Sequence, residues 1–388
     1  MMLKRAEAIA EQLVAWRRDI HMHPELGFQE KRTAGRVAEV LESLGYCVRT
    51  GVGRTGVVAE RGAGHPIVAI RADMDALPIQ EENEVPYASQ VPGVMHACGH
   101  DAHTAIALGV ATLLAEEEFP GTVRFLFQPS EEVADAEGKS GAPRMVEDGA
   151  MEGVDQVLAL HTDPTSAVGE IYLQAGPACA GTDSFYVTVM GKGGHGAAPQ
   201  DVVDPIYIAG HVVLALHGVV SRRLHPGDAA VVSLGSIHGG HADNVIPERV
   251  EITGTIRFLA QDVREQLHTE IERALGVARA LGGDDQLSFK AGSLPMVNDA
   301  AVVELLREVV TDLLGAEHIL PPDKPEMGAE DFGTFSALAP GAMFGLGCRI
   351  EGDERHAHNP HFDIDEGSLP IGAALMAEAA LRLLRGKG

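Results

Sequence analysis

From residue 30 onward, segments of helical period alternate with short, almost continuously apolar ones, and that alternation restricts the chain to a few layered folds. "TAGRVAEVLESLGY" reads as a helix closed near Gly45, and "HPIVAIRADMDALP" as an apolar strand running into an acidic loop. "AHTAIALGVATLLAEEE" reads as a helix, and "GTVRFLFQPSEE" and "DQVLALHTD" as further strands. Strands without polar alternation are covered on both faces, so the expected fold is α/β, with a mostly parallel sheet between helices.

The texture changes after "GPACAGTD". "SFYVTVMGKGG" alternates as a half-buried strand, and the order helix, strand, strand, helix, strand follows to "QLSFKAGS". This βαββαβ order can form its own small α+β domain, placed at 181–293. The larger, catalytic domain would then comprise 1–180 and 294–388, resuming with "DAAVVELLREVVTDLLG", a strand-like "GAMFGLGC" and a closing helix. A chain of 388 residues exceeds what one core usually organises, in keeping with two domains. The start, "MMLKRAEAIAEQLVAWRRDI", places Leu3, Ala6, Ile9, Leu13, Trp16 and Ile20 at helical spacing among charges, so it reads as an amphipathic helix and not as a leader or membrane span.

Lys and Arg number 30 against 56 Asp and Glu, a formal net charge of -26, which repels nucleic acid and anionic lipid and disfavours both as partners. Cys47, Cys98, Cys179 and Cys348 lie too far apart for a small disulfide framework, so a cytoplasmic location is expected, with Cys98 available as ligand or nucleophile.

Ligands of open parallel sheets bind beyond the carboxyl ends of the strands. There the chain delivers Asp73 and Asp75, then Glu131 and Glu132, then His161. "MHACGHDAHT" adds Cys98, His100, Asp101 and His103 ahead of a helix, and "HAHNPHFDI" adds His356, His358 and His361. Each alone has an ordinary explanation: a solvated turn, a satisfied core histidine, an exposed loop. Their convergence on one sheet edge points to metal. Thiolate, imidazole and carboxylate together suit zinc, manganese, cobalt or nickel and suit magnesium or calcium poorly. Two ions are within the reach of so many donors, with one glutamate of the adjacent pair ligating and its neighbour, facing the opposite way in an extended chain, acting as general base.

"DIHMHPELGFQE", "RADMDALP", "MHACGHDAHT", "FQPSEE", "GKGGHGAAP", "NVIPE", "GTIRF", "GAEDF" and "HNPHF" occur in this order along essentially the whole chain. In this the chain resembles the hippurate hydrolases, N-acyl-amino-acid amidohydrolases and auxin-conjugate hydrolases of the dinuclear-metal aminoacylase and carboxypeptidase superfamily. The resemblance implies two divalent ions held by Cys98, His100, Glu132, His161 and His358, with Glu131 as the base for the attacking water. It implies that the small domain at 181–293 is a lid and dimerisation domain, that His195 reaches the oxyanion from it, often from that of a partner subunit, and that Asn244 and Arg257 hold the substrate carboxylate. Asp73, Asp101 and His103 are expected to orient ligands from behind. Arg71 stands where many relatives carry a ligand histidine; a guanidinium stays protonated and cannot ligate, and the resemblance to the hippurate-hydrolase branch implies that Cys98 replaces the lost donor.

The expected activity is hydrolysis of an N-acyl-L-amino acid, of N-acetyl or N-benzoyl type, to a carboxylate and a free amino acid. Rival expectations are a dipeptidase or carboxypeptidase on the same site, a metal-free Cys98 nucleophile, and a non-catalytic metal or small-molecule binding protein. Edge strands of the small domain suggest a homodimer, or a homotetramer built from it.

Overall fold

Seven strands build the larger sheet, in the order Cys47–Val52, Gly56–Ala63, Gly121–Gln128, Ile67–Asp73, Gln156–Ala167, Gly341–Arg349, Ile171–Tyr172. In this computed structural model the described residues are 1–321, 324–353 and 355–386. The four central strands pair in parallel, while both edges of the sheet pair antiparallel. Gly121–Gln128 is buried at every residue, as expected of a central strand covered on both faces, and its Arg124 is paired with Glu60 and the carbonyls of Ala150 and Glu152. The edge strand Cys47–Val52 is mostly exposed, which is why no apolar run marks it in the sequence.

By density of internal contacts the chain divides into two compact units. One comprises Met1–Gly176, Val297–Lys324 and Asp331–Gly388; the other Pro177–Met296 with Pro325–Glu330. The second unit is an antiparallel sheet ordered Ala230–His238, Arg249–Phe258, Gly181–Met190, Asp284–Ala291. Period-two burial along Gly181–Met190 turns Phe185, Val187 and Val189 toward the helices Pro205–Arg223 and Gln261–Ala280. Val212 and Leu216 of the first helix and Leu267 and Ile271 of the second complete that core.

In the first unit the helix His100–Ala115 is buried on nearly every face, packed by the helices Ala10–Met22 and Ser368–Leu384. Such enclosure leaves little room for charge, yet Arg17 of Ala10–Met22 is fully buried. Its guanidinium donates to Asp101 and Asp363, each at 2.8 Å, and to Glu366 at 3.3 Å. Arg17 therefore ties the first turn of His100–Ala115 to the segment after His358. Burial alone would raise the Asp101 carboxyl, but Arg17 and His21 outweigh it and hold it far below the usual carboxylate range.

Arg17→Met strands two buried carboxylates and is expected to cost about 3–5 kcal/mol in urea unfolding at neutral pH. The Asp101 contribution is present above the ordinary aspartate pKa and lost as acid protonates the carboxyl, so the difference from the parent chain should narrow below about pH 4. A cost under about 1 kcal/mol, or one independent of pH, would contradict this account of Arg17.

Candidate metal centre

Cys98 lies on the loop that enters the helix His100–Ala115, and its backbone is held from both sides. Gly99 adopts φ 90°, and a Cβ there would sit 2.1 Å from the Thr162 hydroxyl, so the turn into the helix requires glycine. On the other side the N–H of His358 donates to the carbonyl of Ala97 at 2.7 Å. The donors then fall into overlapping groups whose ligand atoms lie within 4.8 Å of one another: Cys98, His100 and His161; Cys98, Glu132 and His358; His100, Glu131 and Glu132. Cys98 belongs to two of these, as does His100.

Hydrogen bonds behind the imidazoles decide which nitrogen faces the centre. His100 Nδ1 donates to the carbonyl of Asp75 at 2.9 Å, and His161 Nδ1 to the carbonyl of Thr162 at 2.9 Å. Each ring therefore keeps Nε2 for a ligand, and His161 Nε2 lies 3.6 Å from Cys98 Sγ. His358 Nε2 lies 3.0 Å from Glu132 Oε1. Burial opposes ionisation of the Cys98 thiol, but His161, His100 and His358 outweigh it and hold the thiol well below its usual range. Burial, reinforced by the Cys98 charge, pushes the Glu132 carboxyl up to about 7. A thiolate, three imidazoles and carboxylates in shared groups fit two divalent ions.

Asp73 and His103 stand behind this set. His103 Nε2 accepts from the Thr162 N–H at 2.9 Å, so the ring proton is on Nδ1, which donates to Asp73 at 2.7 Å. The other Asp73 oxygen accepts from Arg71 at 2.6 Å and lies 3.7 Å from His100 Nε2. Arg71 also donates to Gln128 at 2.8 Å and Asp331 at 3.0 Å, so this buried guanidinium braces the ends of two central strands in place of ligating.

Several expectations need correction. Asp101 meets Arg17 and His21 and not a ligand, because the helix turns it toward Ala10–Met22. His161 is not at a strand end: Gln156–Ala167 continues past it, paired with Gly341–Arg349 after its pairing with Ile67–Asp73 has stopped at Leu158. Glu131 and Glu132 are not in extended chain; Ser130 at φ 46° bends the backbone, and both carboxylates fall in one group with His100. His361 faces Glu82 at 3.2 Å, outside those groups. His96 is buried without a hydrogen-bond partner among the described residues, and burial lowers its pKa to about 4, leaving a neutral ring. Gln128 and Asp331 stand inside "FQPSEE" and "GAEDF", and Thr162 follows His161, yet the sequence assigns none of them a role, because an ordinary polar side chain shows its partners only once the fold assembles them.

In the second unit, His195 is exposed on the short strand Gly194–His195, paired with Val245–Ile246. The N–H of Gly196 donates to the carbonyl of Asn244 at 2.8 Å, so His195 and Asn244 occupy neighbouring segments. The Ala197 N–H donates to His195 Nδ1 at 3.0 Å, which leaves the proton on Nε2 as an outward donor. Arg257 lies elsewhere, opposite Thr182 near the far end of Arg249–Phe258.

Cys98→Ala is expected to weaken both metal positions, and His161→Ala only one, as read from metal content after equilibration in buffered zinc. Asp73→Asn should lower metal affinity by about 10–100-fold through loss of its support to His103 and Arg71. Two tightly held ions in Cys98→Ala would contradict a shared thiolate.

Residues 69–382 match Peptidase family M20/M25/M40. An IAA-amino acid hydrolase of Arabidopsis thaliana is 40% identical over 382 residues, covering 96% of this chain and 86% of the relative. Thermostable carboxypeptidase 2 of Saccharolobus solfataricus is 38% identical over 383 residues, covering 96% of each. A solved dinuclear metal binding peptidase of the M20 family from Bacillus subtilis matches with a TM-score of 0.85 at 34% identity, covering 97% of this chain and 99% of that one. The chain belongs to Peptidase family M20/M25/M40.

Proposed function

We propose that the chain is a metal-dependent amidohydrolase that cleaves N-acyl-L-amino acids, of N-acetyl or N-benzoyl type, to a carboxylate and a free amino acid. The observation that carries this reading is the pair of donor groups sharing Cys98, with Glu131 grouped beside His100 as one carboxylate more than the ligand set needs. Cys98, His100, Glu132, His161 and His358 would hold two divalent ions; the thiolate and imidazoles favour zinc, manganese, cobalt or nickel. When bound, such ions supply Lewis acidity to a water and to the acyl carbonyl.

The chain's own residues do the rest. Glu131 takes the proton of the attacking water and delivers it to the leaving amine nitrogen, so one carboxylate serves as base and then as acid. His195, with its proton on Nε2, is suited to donate to the oxyanion that develops on the acyl oxygen. Asn244 and Arg257 are assigned to the substrate carboxylate. Arg257 is eight residues along its strand from Arg249, which places it about 26 Å from the end nearest Asn244. A joint grip on one small carboxylate then draws on two copies of the unit, which supports a homodimer through this domain, or a tetramer built from it. A cytoplasmic location, where Cys98 stays reduced, fits the same scheme.

A second reading keeps the centre and takes dipeptides or peptide C-termini, favoured by the similarity to the thermostable carboxypeptidase. Release of free amine from a panel of N-acetyl- and N-benzoyl-amino acids and dipeptides separates the two. Activity on the acyl-amino acids should vanish on chelation and return with one of the four metals. Glu131→Gln should keep its metal content and lose about 10²–10⁴-fold in kcat. No amine release under any metal, or full rate in Glu131→Gln, would overturn the proposal; preference for dipeptides would establish the second reading.

A further inference from the structure

Three loops converge on one buried carboxylate that the scheme above does not use. Glu30, immediately before the helix Lys31–Ser43, has no exposed surface. Its Oε1 accepts from the N–H of Phe28 at 3.0 Å and from the N–H of Ser130 at 2.8 Å, and its Oε2 accepts from the Thr55 hydroxyl. Glu30 is not capping its own helix: the free amides of Arg32 and Thr33 in the first turn donate to Glu25, at 2.9 and 2.8 Å.

The backbone around this carboxylate is unusual. Phe28, Ser130 and Arg54, the last adjacent to Thr55, have φ of 60°, 46° and 85°; with His358 they make up the non-glycine residues of positive φ among the described residues. Side chains disfavour that region, and it persists where surrounding bonds over-determine it. At Ser130 those bonds are on every side. Its N–H goes to Glu30, its carbonyl accepts from the Gly141 N–H at 2.8 Å, and its hydroxyl donates to the carbonyl of Val133 at 2.6 Å. The Gly27 backbone packs so closely that a Cβ there would lie 2.3 Å from the Ser130 hydroxyl oxygen. Glu131 and Glu132 follow directly, and the bend at Ser130 is what turns both toward His100.

We infer that Glu30 is a positioning residue for the Glu131 and Glu132 pair: its side-chain oxygen holds the Ser130 N–H and with it the left-handed turn that aims both carboxylates at the metal donors. What those carboxylates do rests on the amidohydrolase reading; how they are aimed does not. Burial pushes the Glu30 carboxyl up to about 7, and in either protonation state an oxygen remains to accept both amides.

The test compares Glu30→Ala with Glu30→Gln, whose side-chain carbonyl can still accept from Phe28 and Ser130, in cobalt-loaded holoenzyme. Glu30→Ala should lower kcat by at least about tenfold with much less change in KM, since a small misplacement of a reacting group is costly. It should also move the cobalt d–d absorption bands, which report the ligand field at Glu132 without any substrate. Glu30→Gln should recover most of both. Should Glu30→Ala fail to fold, Glu30→Asp, which keeps the charge and withdraws the oxygens by one methylene, is read by the same criteria. A folded, metal-loaded Glu30→Ala with parental kcat and cobalt spectrum but a lower Tm would overturn the inference, as would a Gln variant no better than Ala. If the parent chain hydrolyses no N-acyl amino acid while the Glu30→Ala spectrum shifts, the amidohydrolase reading fails and the positioning role stands.

Discussion

The Cys98 thiolate, enclosed by imidazoles and shared between two donor groups, is the constraint on which the rest of the centre depends. A buried thiol resists ionisation, and here the opposing pull comes from three histidines on three different segments: a helix start, a central strand and the loop after the last long strand. Each segment must therefore reach one point with small error. The left-handed Gly99, the Nδ1 bonds of His100 and His161, and the His358 amide bound to Ala97 are the local means by which they do. Backbone carbonyls that accept from Nδ1 of His100 and His161 leave Nε2 of each ring facing the centre.

Behind the donors stand buried charges that a strongly acidic chain can spare only in pairs. Arg71 joins Asp73 to Asp331 and Gln128, bracing strands that flank the centre. Arg17 joins Asp101 to Asp363 and Glu366, fastening the helix of His100 to the segment beyond His358. Both guanidiniums are fully paired, which their burial demands. Arg71 stays protonated and cannot ligate, and as a buried cation beside Asp73 it helps, with His100 and His103, to hold that carboxyl ionised against the cost of burial.

The central strands and the donors were legible because each rests on a local signal: a mostly apolar run, or ligand-type residues just beyond it. What escaped was non-local. The partner of Asp101 is 84 residues away at Arg17, and the support of Ser130 is 100 residues away at Glu30. Nothing in a serine announces a left-handed backbone, so the glutamates read as an extended pair when the chain actually bends there. The edge strand Cys47–Val52 was missed for the opposite reason: most of its residues face solvent, and an edge needs no apolar run. The apolar run of "DQVLALHTD" stops just before His161, which marks a strand end in the sequence, yet pairing with Gly341–Arg349 carries the strand onward.

Anomalous diffraction from crystals of the zinc-loaded protein tests the central claim most directly. The account predicts two metal peaks about 3.5–4 Å apart, with Cys98 Sγ within about 2.3 Å of both. A single peak, or two peaks with Sγ bonded to neither or to only one, would contradict a shared thiolate.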